Sequence, residues 1–221
     1  MREYERRKAK DEARVQVQID QVQARFGHGL VGKAVTSLTV DASPRQSTAV
    51  WKQGAIGEER VAEQLECLSR HGIVSLHDRR IPGTSANIDH IVVTPWSVWV
   101  IDAKRYLGKR PTRYLSGGIF GIGATAGLMV GGRKKDNLVE GVLKQCARVQ
   151  QALGEGTPQV KGLLCFVDAD WPMIGGDFTV QGVRVCWPKR LKKELVRSTP
   201  ASIGVETITH LLTARFPSHS G

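Results

Sequence analysis

The sequence predicts an α/β domain with a helical arm before it, and three observations support this class. Two runs rich in β-branched residues, 88–93 and 98–101, flank a short turn, which is typical of a β-hairpin. Segments with helical spacing of apolar residues begin near Gly54 and near Lys135, on either side of this hairpin. A chain of 221 residues suits one substantial core with appendages.

The arm comes first. Residues 4–26 are dense in Arg, Lys, Glu, Asp and Gln, which indicates an exposed helix of alternating charge. Its apolar face is ragged, so binding of a partner helix or of a second copy of the chain stays open. That face comprises Val15, Val17, Ile19 and Val22. Residues 27–48 read as a connector, and we assign residues 1–49 to arm and connector.

The next helix is predicted from Gly54 to about Ser69. Its inward positions are Val61, Ala62, Leu65 and Leu68. Glu58 lies at helical spacing from this stripe and should point towards the core, whereas Glu59 falls on the polar side. A buried carboxylate is uncommon without a partner. Alternatively, Glu58 lies in the first turn, where the helix dipole favours an acid.

The hairpin is expected to be symmetric about Pro95 and Trp96. This register pairs Thr94 with Ser97 and, further out, Asp89 with Asp102. Alternation then brings Asn87 and Lys104 to the same face, which is apolar near the turn and polar at its open end.

Two adjacent carboxylates repel each other unless a cation compensates them. Mg²⁺ prefers oxygen ligands and often takes only one or two carboxylates, so Asp89 and Asp102 are candidate metal ligands. A neighbouring Lys104 could orient or deprotonate a water, or stabilise charge on a phosphate. The alternative is a structural salt bridge between Lys104 and one of these aspartates.

A glycine-rich segment precedes the second helix. Residues 116–132 are expected to form a flexible loop and a short strand, since they lack the Gly-Lys-Ser/Thr ending of a phosphate loop. The helix then covers residues 135–153, and Gln145 interrupts its apolar stripe. This glutamine could bond buried backbone or hold a water or phosphate near the carboxylates. The stripe comprises Leu138, Val142, Val149 and Ala152.

These motifs occur in an order that resembles a known family. They are Gly54-x-x-Gly57-Glu58, Asn87-Ile88-Asp89-His90, Val100-Ile101-Asp102-Ala103-Lys104 and the helix with Gln145. The set is similar to the nuclease-related domain (NERD) family, which is grouped with the PD-(D/E)XK restriction-endonuclease-like superfamily. Residues 163–172 and 182–188 are similar to the later strands of bacterial members. No proline precedes Asp89, in contrast to the superfamily motif.

The resemblance implies a restriction-endonuclease-like mixed central β-sheet flanked by helices, over residues 50–197. It implies a metal-dependent nuclease that hydrolyses phosphodiester bonds in DNA and acts in DNA processing or repair. Glu58, Asp89 and Asp102 would hold Mg²⁺ or Mn²⁺, and Lys104 and Gln145 would complete the catalytic set. The alternatives are a nucleic-acid-binding module without catalysis, and an interaction protein in which these residues are structural.

The formal net charge of +11 suits a polyanionic partner such as DNA. Basic residues cluster after Lys104 and again before the second helix, and both clusters could flank one phosphate track. They comprise Arg105, Lys109, Arg110, Arg113, Arg133, Lys134 and Lys135.

The cysteines and the apolar runs of the sequence indicate the cellular compartment that we expect. The dispersed Cys67, Cys146, Cys165 and Cys186 predict buried, reduced thiols. The N-terminus lacks a signal-peptide core and no apolar run is long enough to span a membrane, so we expect a cytoplasmic protein without a membrane partner. Residues 198–221 are assigned to a C-terminal helix and tail, with Thr199 and Pro200 at the helix start. Its apolar face comprises Ile203, Ile208, Leu211, Leu212 and Phe216.

Overall fold

The structure is a computed structural model that describes residues 2–26, 46–117, 124–157, 159–173, 176–196 and 203–218. The chain divides into two compact units, residues 1–56 and residues 57–221. Helix α2 (Gln46–Glu66) crosses the boundary between them.

The first unit carries helix α1 (Arg2–Phe26). The predicted helix of the arm is present, and polar side chains contact each other along it: Lys8 lies 3.8 Å from Glu12, and Gln16 donates to Asp20 at 2.8 Å. The predicted start of the next helix was too late, because α2 already begins at Gln46, inside the expected connector.

The predicted end of α2 was also wrong. The helix ends at Glu66, and a separate 3₁₀ turn (Ser69–His71) follows. Gly72 closes this turn with φ of 69°, a left-handed conformation that glycine adopts without steric strain. The chain thereby turns into the first strand.

The second unit is built on a six-stranded mixed sheet, which confirms the predicted fold class. Its strands are β1 (Val74–Arg80), β2 (Asn87–Thr94), β3 (Ser97–Arg105), β7 (Lys161–Val167), β8 (Phe178–Val180) and β9 (Val183–Cys186). Their spatial order is β1-β2-β3-β7-β9-β8. The strands β3, β7 and β9 run parallel, and the other pairs are antiparallel.

The β2–β3 hairpin has the predicted register, with Thr94 opposite Ser97. Thr94 organises the turn, because its hydroxyl accepts the backbone N–H of Ser97 at 2.9 Å and that of Trp96 at 3.3 Å. The ladder continues outward to His90 opposite Ile101, one step short of the two aspartates.

A second, three-stranded antiparallel sheet follows the hairpin. It consists of β4 (Pro111–Ser116), β5 (Thr125–Val130) and β6 (Arg133–Lys134). The prediction of a loop with one short strand was therefore incomplete, since β4 reaches Ser116 and residues 133–134 pair with β5. Residues 118–123 of the predicted loop lie outside the described residues. Gly131 and Gly132, with φ of 55° and 77°, form the tight turn between β5 and β6.

Helices cover both faces of the main sheet. On one face, α2 and the short α4 (Leu191–Leu195) pack on the strands through Val61, Leu65 and Leu195, among others. On the other face lie α3 (Asp136–Leu153), α5 (Val205–Arg215) and the apolar residues Leu128 and Val130 of the second sheet. The core therefore has two halves, separated by the sheet.

Helix α3 confirms the predicted helix within one residue, but its buried stripe is shifted. Val142 and Val149 are buried as predicted, whereas Leu138 and Ala152 are only partly buried. The inward positions also include Val139, Cys146 and Leu153.

The C-terminal helix α5 buries Leu212 and Phe216 at its end, as predicted, but Leu211 is exposed. The predicted start at Thr199 and Pro200 lies outside the described residues. After α5 the backbone returns to the sheet, where the carbonyl of Pro217 accepts the N–H of Arg80 at 2.9 Å.

All four cysteines are free thiols. Cys146, Cys165 and Cys186 are buried as expected, but the prediction for Cys67 was wrong, because this residue is exposed just beyond the end of α2. Among the described helices, none combines the length and apolarity needed to cross a bilayer.

Candidate active site

The open end of the β2–β3 hairpin carries the two aspartates. Asp89 alternates with Ile91 and Val93 along β2, and Asp102 alternates with Val98 and Val100 along β3. These four apolar residues belong to the core half that faces α3. The aspartates therefore continue a buried apolar face into a polar end.

The side chain of Asp89 accepts a backbone hydrogen bond just beyond the end of the β2–β3 ladder. Its Oδ2 accepts the backbone N–H of Ala103 at 2.9 Å, and Asp89 and Ala103 lie one and two positions beyond the last ladder pair. Burial raises the pKa of Asp89 well above its usual value, and the charge of Asp102 raises it further, while Lys104 opposes this. The carboxyl group of Asp89 is thus held in place where a second negative charge is unfavourable.

Lys104 is the cation that compensates the aspartates. Its Nζ lies 2.6 Å from Oδ1 of Asp102, and only 8% of the surface of Asp102 is exposed. Burial lowers the pKa of Lys104, but Asp102 and Asp89 raise it more, so the net direction is upward. Lys104 is therefore a protonated ammonium group at neutral pH.

Helix α2 brings a third carboxylate to this cluster. Glu58 is half-buried and Glu59 is exposed, which confirms the predicted orientation of the two adjacent acids. Burial raises the pKa of Glu58, Lys104 opposes the rise, and the charges of Asp78 and Asp102 add to it. Glu58 therefore belongs to the same electrostatic cluster as the hairpin residues.

Gly57 explains how α2 approaches the hairpin so closely. A Cβ atom at this position would lie 3.3 Å from Cβ of Arg105 and 3.5 Å from its backbone nitrogen. The missing side chain lets the helix pack against the end of β3, directly beside Lys104. In this motif Gly57 therefore allows the close approach of the helix, and Glu58 supplies the carboxylate.

Asp78 is an acid of this site that the sequence patterns did not reveal. It lies in β1 between His77, opposite His90, and Arg79, opposite Ile88, which places it at the level of Asp89. Its φ of 47° is unusual for a non-glycine residue. Asn87 donates from Nδ2 to its carboxylate at 2.9 Å. Because β1 was not among the predicted strands, no pattern located Asp78 beside the hairpin.

Gln145 reaches the same region from α3. Its Nε2 lies 3.4 Å from the backbone carbonyl of Asn87, at the start of β2. Its Oε1 is buried and has no hydrogen-bond partner among the residues that the structure describes. The predicted inward orientation is therefore present, with one acceptor left for a donor.

Two of the predicted basic residues are bound to acids. Arg105 donates from Nε to Asp168 at 2.7 Å, and Arg110 donates from Nη2 to Asp170 at 2.7 Å. Asp168 also pairs with Arg60 of α2. Arg105, more than burial or Arg60, holds the pKa of Asp168 below its usual range. These acids lie more than 55 residues further along the chain, so charge counting in one segment could not reveal the pairs.

The other predicted basic residues lie around the second sheet. Arg113 is exposed on β4, and Arg133 and Lys134 are exposed on β6. Lys134 places its Nζ 4.9 Å from the ring centre of Tyr114, on β4. Lys109 lies just before β4 and Lys135 at the start of α3. Of the seven predicted basic residues, Arg113, Arg133 and Lys134 therefore lie on strands of the second sheet, and a shared phosphate track stays a prediction.

Comparison with models of protein families shows which family this chain belongs to. The sequence model of the nuclease-related domain family matches residues 53–167, which is more than half of the 221 residues. The chain belongs to the NERD family. That family is part of the restriction-endonuclease-like superfamily. Neither the comparison with curated proteins nor that with solved structures found a match.

The NERD match contains the whole candidate site. It begins in α2, five residues before Glu58, and ends at Val167, the last residue of β7. Asp89, Asp102, Lys104 and Gln145 all lie inside it.

The donor set of this NERD domain fits a hard divalent cation in its chemistry. Glu58, Asp89 and Asp102 supply oxygen atoms, and the raised pKa values of Glu58 and Asp89 express the need for a compensating positive charge. Across the described parts of the chain, however, no group of three or more His, Cys, Asp or Glu side chains is arranged to hold a metal ion. Two carboxylates with water and a substrate phosphate would still suffice for Mg²⁺.

Proposed function

We propose that this NERD domain is a divalent-metal-dependent nuclease that hydrolyses phosphodiester bonds in DNA. The observation that carries the proposal is the placement of three carboxylates, Glu58, Asp89 and Asp102, around Lys104 at the open end of the hairpin, where Lys104 lies 2.6 Å from Asp102. A structural salt bridge needs one acid and one base. Three acids around one lysine leave negative charge to be compensated.

Asp89 and Asp102 would hold the Mg²⁺ or Mn²⁺ ion, and Glu58 would complete or support the site from α2. Such an ion supplies Lewis-acid stabilisation of charge on a phosphate and lowers the pKa of a bound water. Asp89 is already oriented by the N–H of Ala103, so its second oxygen remains for a ligand.

Lys104 contributes as an ammonium group. Since its pKa is raised, it acts as a donor at neutral pH and is unsuited to remove a proton from water in the state described here. Its three N–H groups allow it to keep Asp102 and also to donate to a phosphate oxygen or to the attacking water. It would therefore position the water and stabilise the transition state.

Gln145 and the basic surface would act on the substrate around this centre. The free acceptor of Gln145 can orient a water from the α3 side. Arg113, Arg133 and Lys134 on the second sheet would neutralise backbone phosphates and give binding a strong salt dependence.

The test is cleavage of labelled single- and double-stranded DNA by the purified protein with Mg²⁺ or Mn²⁺. Asp102→Ala, Lys104→Ala and a chelator should each abolish cleavage. Glu155→Gln changes one exposed acid in the loop after α3 and serves as the matched control that should cleave normally. Cleavage that survives in Asp102→Ala or in chelator would refute the proposal.

A second candidate function is a nucleic-acid-binding module without catalysis. Two observations favour it: Lys104 already pairs with Asp102 at 2.6 Å, and the described residues contain no preformed group of three metal-ligating side chains. Salt-sensitive binding in chelator, with no cleavage of either substrate at any metal concentration, would decide for this alternative.

A further inference from the structure

A second cationic site lies at the β8 edge of the main sheet, beyond the part of the chain that matches the NERD family. A cavity of about 910 Å³ opens there beside β8, β9 and α4. The charged residues that line it are Arg184, Lys189, Arg190, Lys192, Lys193 and Glu194.

Two arginines form a fixed base for this cavity. Arg184 pairs with Asp177 and donates from Nη2 to Glu194 at 3.0 Å. Arg190 lies 3.1 Å from Asp177 and 3.9 Å from Glu194. Asp177 and Glu194 are mostly buried, with 9% and 15% of their side chains exposed. The two arginines and the two acids therefore neutralise each other and hold β9 and α4 together.

Three lysines remain above this base. Lys189, Lys192 and Lys193 are all exposed, and none of them forms an ion pair with a residue that the structure describes. Lys192 and Lys193 follow Lys189 by three and four positions, which places like charges on one side of a helical turn. The buried Leu191 and Leu195 anchor that turn on the core, so the lysines cannot turn inward.

The charge balance of the cavity is therefore positive. Five cations face two acids when Asp177 is included, which leaves an excess of three positive charges. Three neighbouring ammonium groups destabilise the helical turn unless an anion compensates them. We infer that this cavity, here called the β8-edge pocket, binds backbone phosphates of the nucleic acid on which the NERD domain acts.

The position of the pocket suits a contact outside the cleavage site. Arg184 on β9 is in register with Leu163 on β7, and Leu163 is in register with Ile101, the neighbour of Asp102. Two strand spacings separate these rows by about 10 Å. Arg184 alternates with Val183 and Val185, so its side chain faces the α4 side of the sheet, whereas Asp102 faces the α3 side. A phosphate contact in the pocket would therefore be separate from the cleavage centre.

The identity of the ligand rests on the proposed function, so binding is measured separately from cleavage. We would titrate labelled duplex DNA with the protein in chelator over a series of salt concentrations. The variant combines Lys189→Gln, Lys192→Gln and Lys193→Gln. If all three lysines contact phosphates, the salt slope of log K should become shallower by about 2.7, at 0.9 for each contact.

The matched control combines Lys10→Gln, Arg70→Gln and Lys144→Gln, which removes the same charge from exposed positions outside the pocket. It should keep most of the wild-type salt slope. Equal slopes in the two triple variants would overturn the inference while leaving the proposed nuclease intact. A wild type that fails to bind DNA overturns the inference together with any nucleic-acid function. A wild type that binds through the pocket but never cleaves supports the inference and refutes the nuclease.

A second measurement uses the unaltered protein. Amine-reactive labelling followed by mass spectrometry should show that duplex DNA protects Lys189, Lys192 and Lys193 several-fold more than it protects Lys10. Equal protection of all four amines would contradict a defined pocket contact.

Discussion

The carboxyl group of Asp89 illustrates how a single residue of this site works against the stability of the fold. It lies among Asp102, Glu58 and the apolar core face, and its raised pKa is the measure of that environment. Within the described part of the chain, the N–H of Ala103 is the one group that donates a hydrogen bond to this carboxylate. A buried carboxyl group that destabilises the folded state is expected to bind a ligand.

Asp89→Asn should therefore stabilise the metal-free protein. The folded state holds the proton of Asp89 more tightly than the unfolded state does, so wild-type stability falls as pH rises from the unfolded pKa near 3.8 through the folded pKa. Asparagine removes this penalty and can still accept the N–H of Ala103. Urea unfolding in chelator should show a gain that grows with pH. Glu155→Gln should show no such trend, and a loss of stability in Asp89→Asn at high pH would contradict the assignment.

His90, the next residue, should behave in the opposite way. It is buried on the other side of β2, and burial, more than the neighbouring His77 and Lys104, lowers its pKa to about 3. Its Nδ1 lies 2.8 Å from Nδ1 of His77. As pH falls below 6.5, the unfolded state binds a proton at His90 before the folded state does. The contribution of neutral His90 to the free energy of unfolding is therefore complete above pH 6.5 and is lost as pH falls towards 3.

Between pH 6.5 and 5, proton linkage at His90 should lower the free energy of unfolding by about 2 kcal/mol, at about 1.4 kcal/mol for each pH unit. Nuclear magnetic resonance of the imidazole nitrogens provides the direct measurement. His90 should stay neutral across this range, and a midpoint near 6.5 would show that the ring is not buried as described.

At the scale of elements, the site depends on how closely α2 lies against the end of β3. The helix positions Glu58, and the absence of a side chain at Gly57 sets the distance to Arg105. Asp168 pairs with both Arg60 of α2 and Arg105 of β3 and so joins the two elements from the loop after β7. Helix position and site geometry are therefore linked.

Gly57→Ala should impair cleavage more than it impairs folding. The new Cβ would lie 3.3 Å from Cβ of Arg105, so α2 must shift by a few tenths of an ångström. We expect a loss of stability of about 1 kcal/mol and a decrease in cleavage rate of about tenfold or more, since small misplacements of catalytic groups are costly. Melting temperature and cleavage rate should be measured together.

The control for this change is Gly141→Ala in α3. A Cβ atom there would meet no described atom within 4 Å. This variant should gain about 0.5 to 1 kcal/mol from helix propensity and cleave normally. If Gly57→Ala behaved like Gly141→Ala, close packing of α2 on β3 would not be what positions Glu58.

At the scale of the whole molecule, charge of both signs is separated within the second unit. The acids cluster at the open end of the hairpin, and exposed cations lie on the second sheet and in the β8-edge pocket. The exposed cations of this unit therefore lie on other elements than its acidic centre. This distribution suits a polyanion that is held by its backbone and attacked at one position.

Metal binding should appear as stability of the whole domain. A ligand that binds only the folded state stabilises it by about 1.4 kcal/mol when its concentration is ten times the dissociation constant. Mg²⁺ or Mn²⁺ should therefore raise the melting temperature of the wild type, and Asp102→Asn should reduce the shift strongly. The same salt concentration as potassium chloride is the control. An identical shift in Asp102→Asn would place the cation elsewhere.

The sequence by itself determined the elements whose signals are local. Turn chemistry at Thr94 and Ser97 and β-branched flanks sufficed for the hairpin and its register, because a tight turn dictates which residues face each other. Helical periodicity sufficed for α3 and for the inward side of Glu58. The candidate site could be assembled because its main residues lie on these elements.

Only the tertiary structure decided what depends on contacts between distant residues. Asp78 joins the site through β1, whose mixed sequence carries no clear strand pattern, and Cys67 is exposed because α2 ends before it. Arg105 meets Asp168 across 63 positions of the chain. The β8-edge pocket forms because Asp177, Arg184 and Glu194 converge from separate elements. Periodicity describes one element at a time, whereas these contacts arise from the way the sheet brings several elements together.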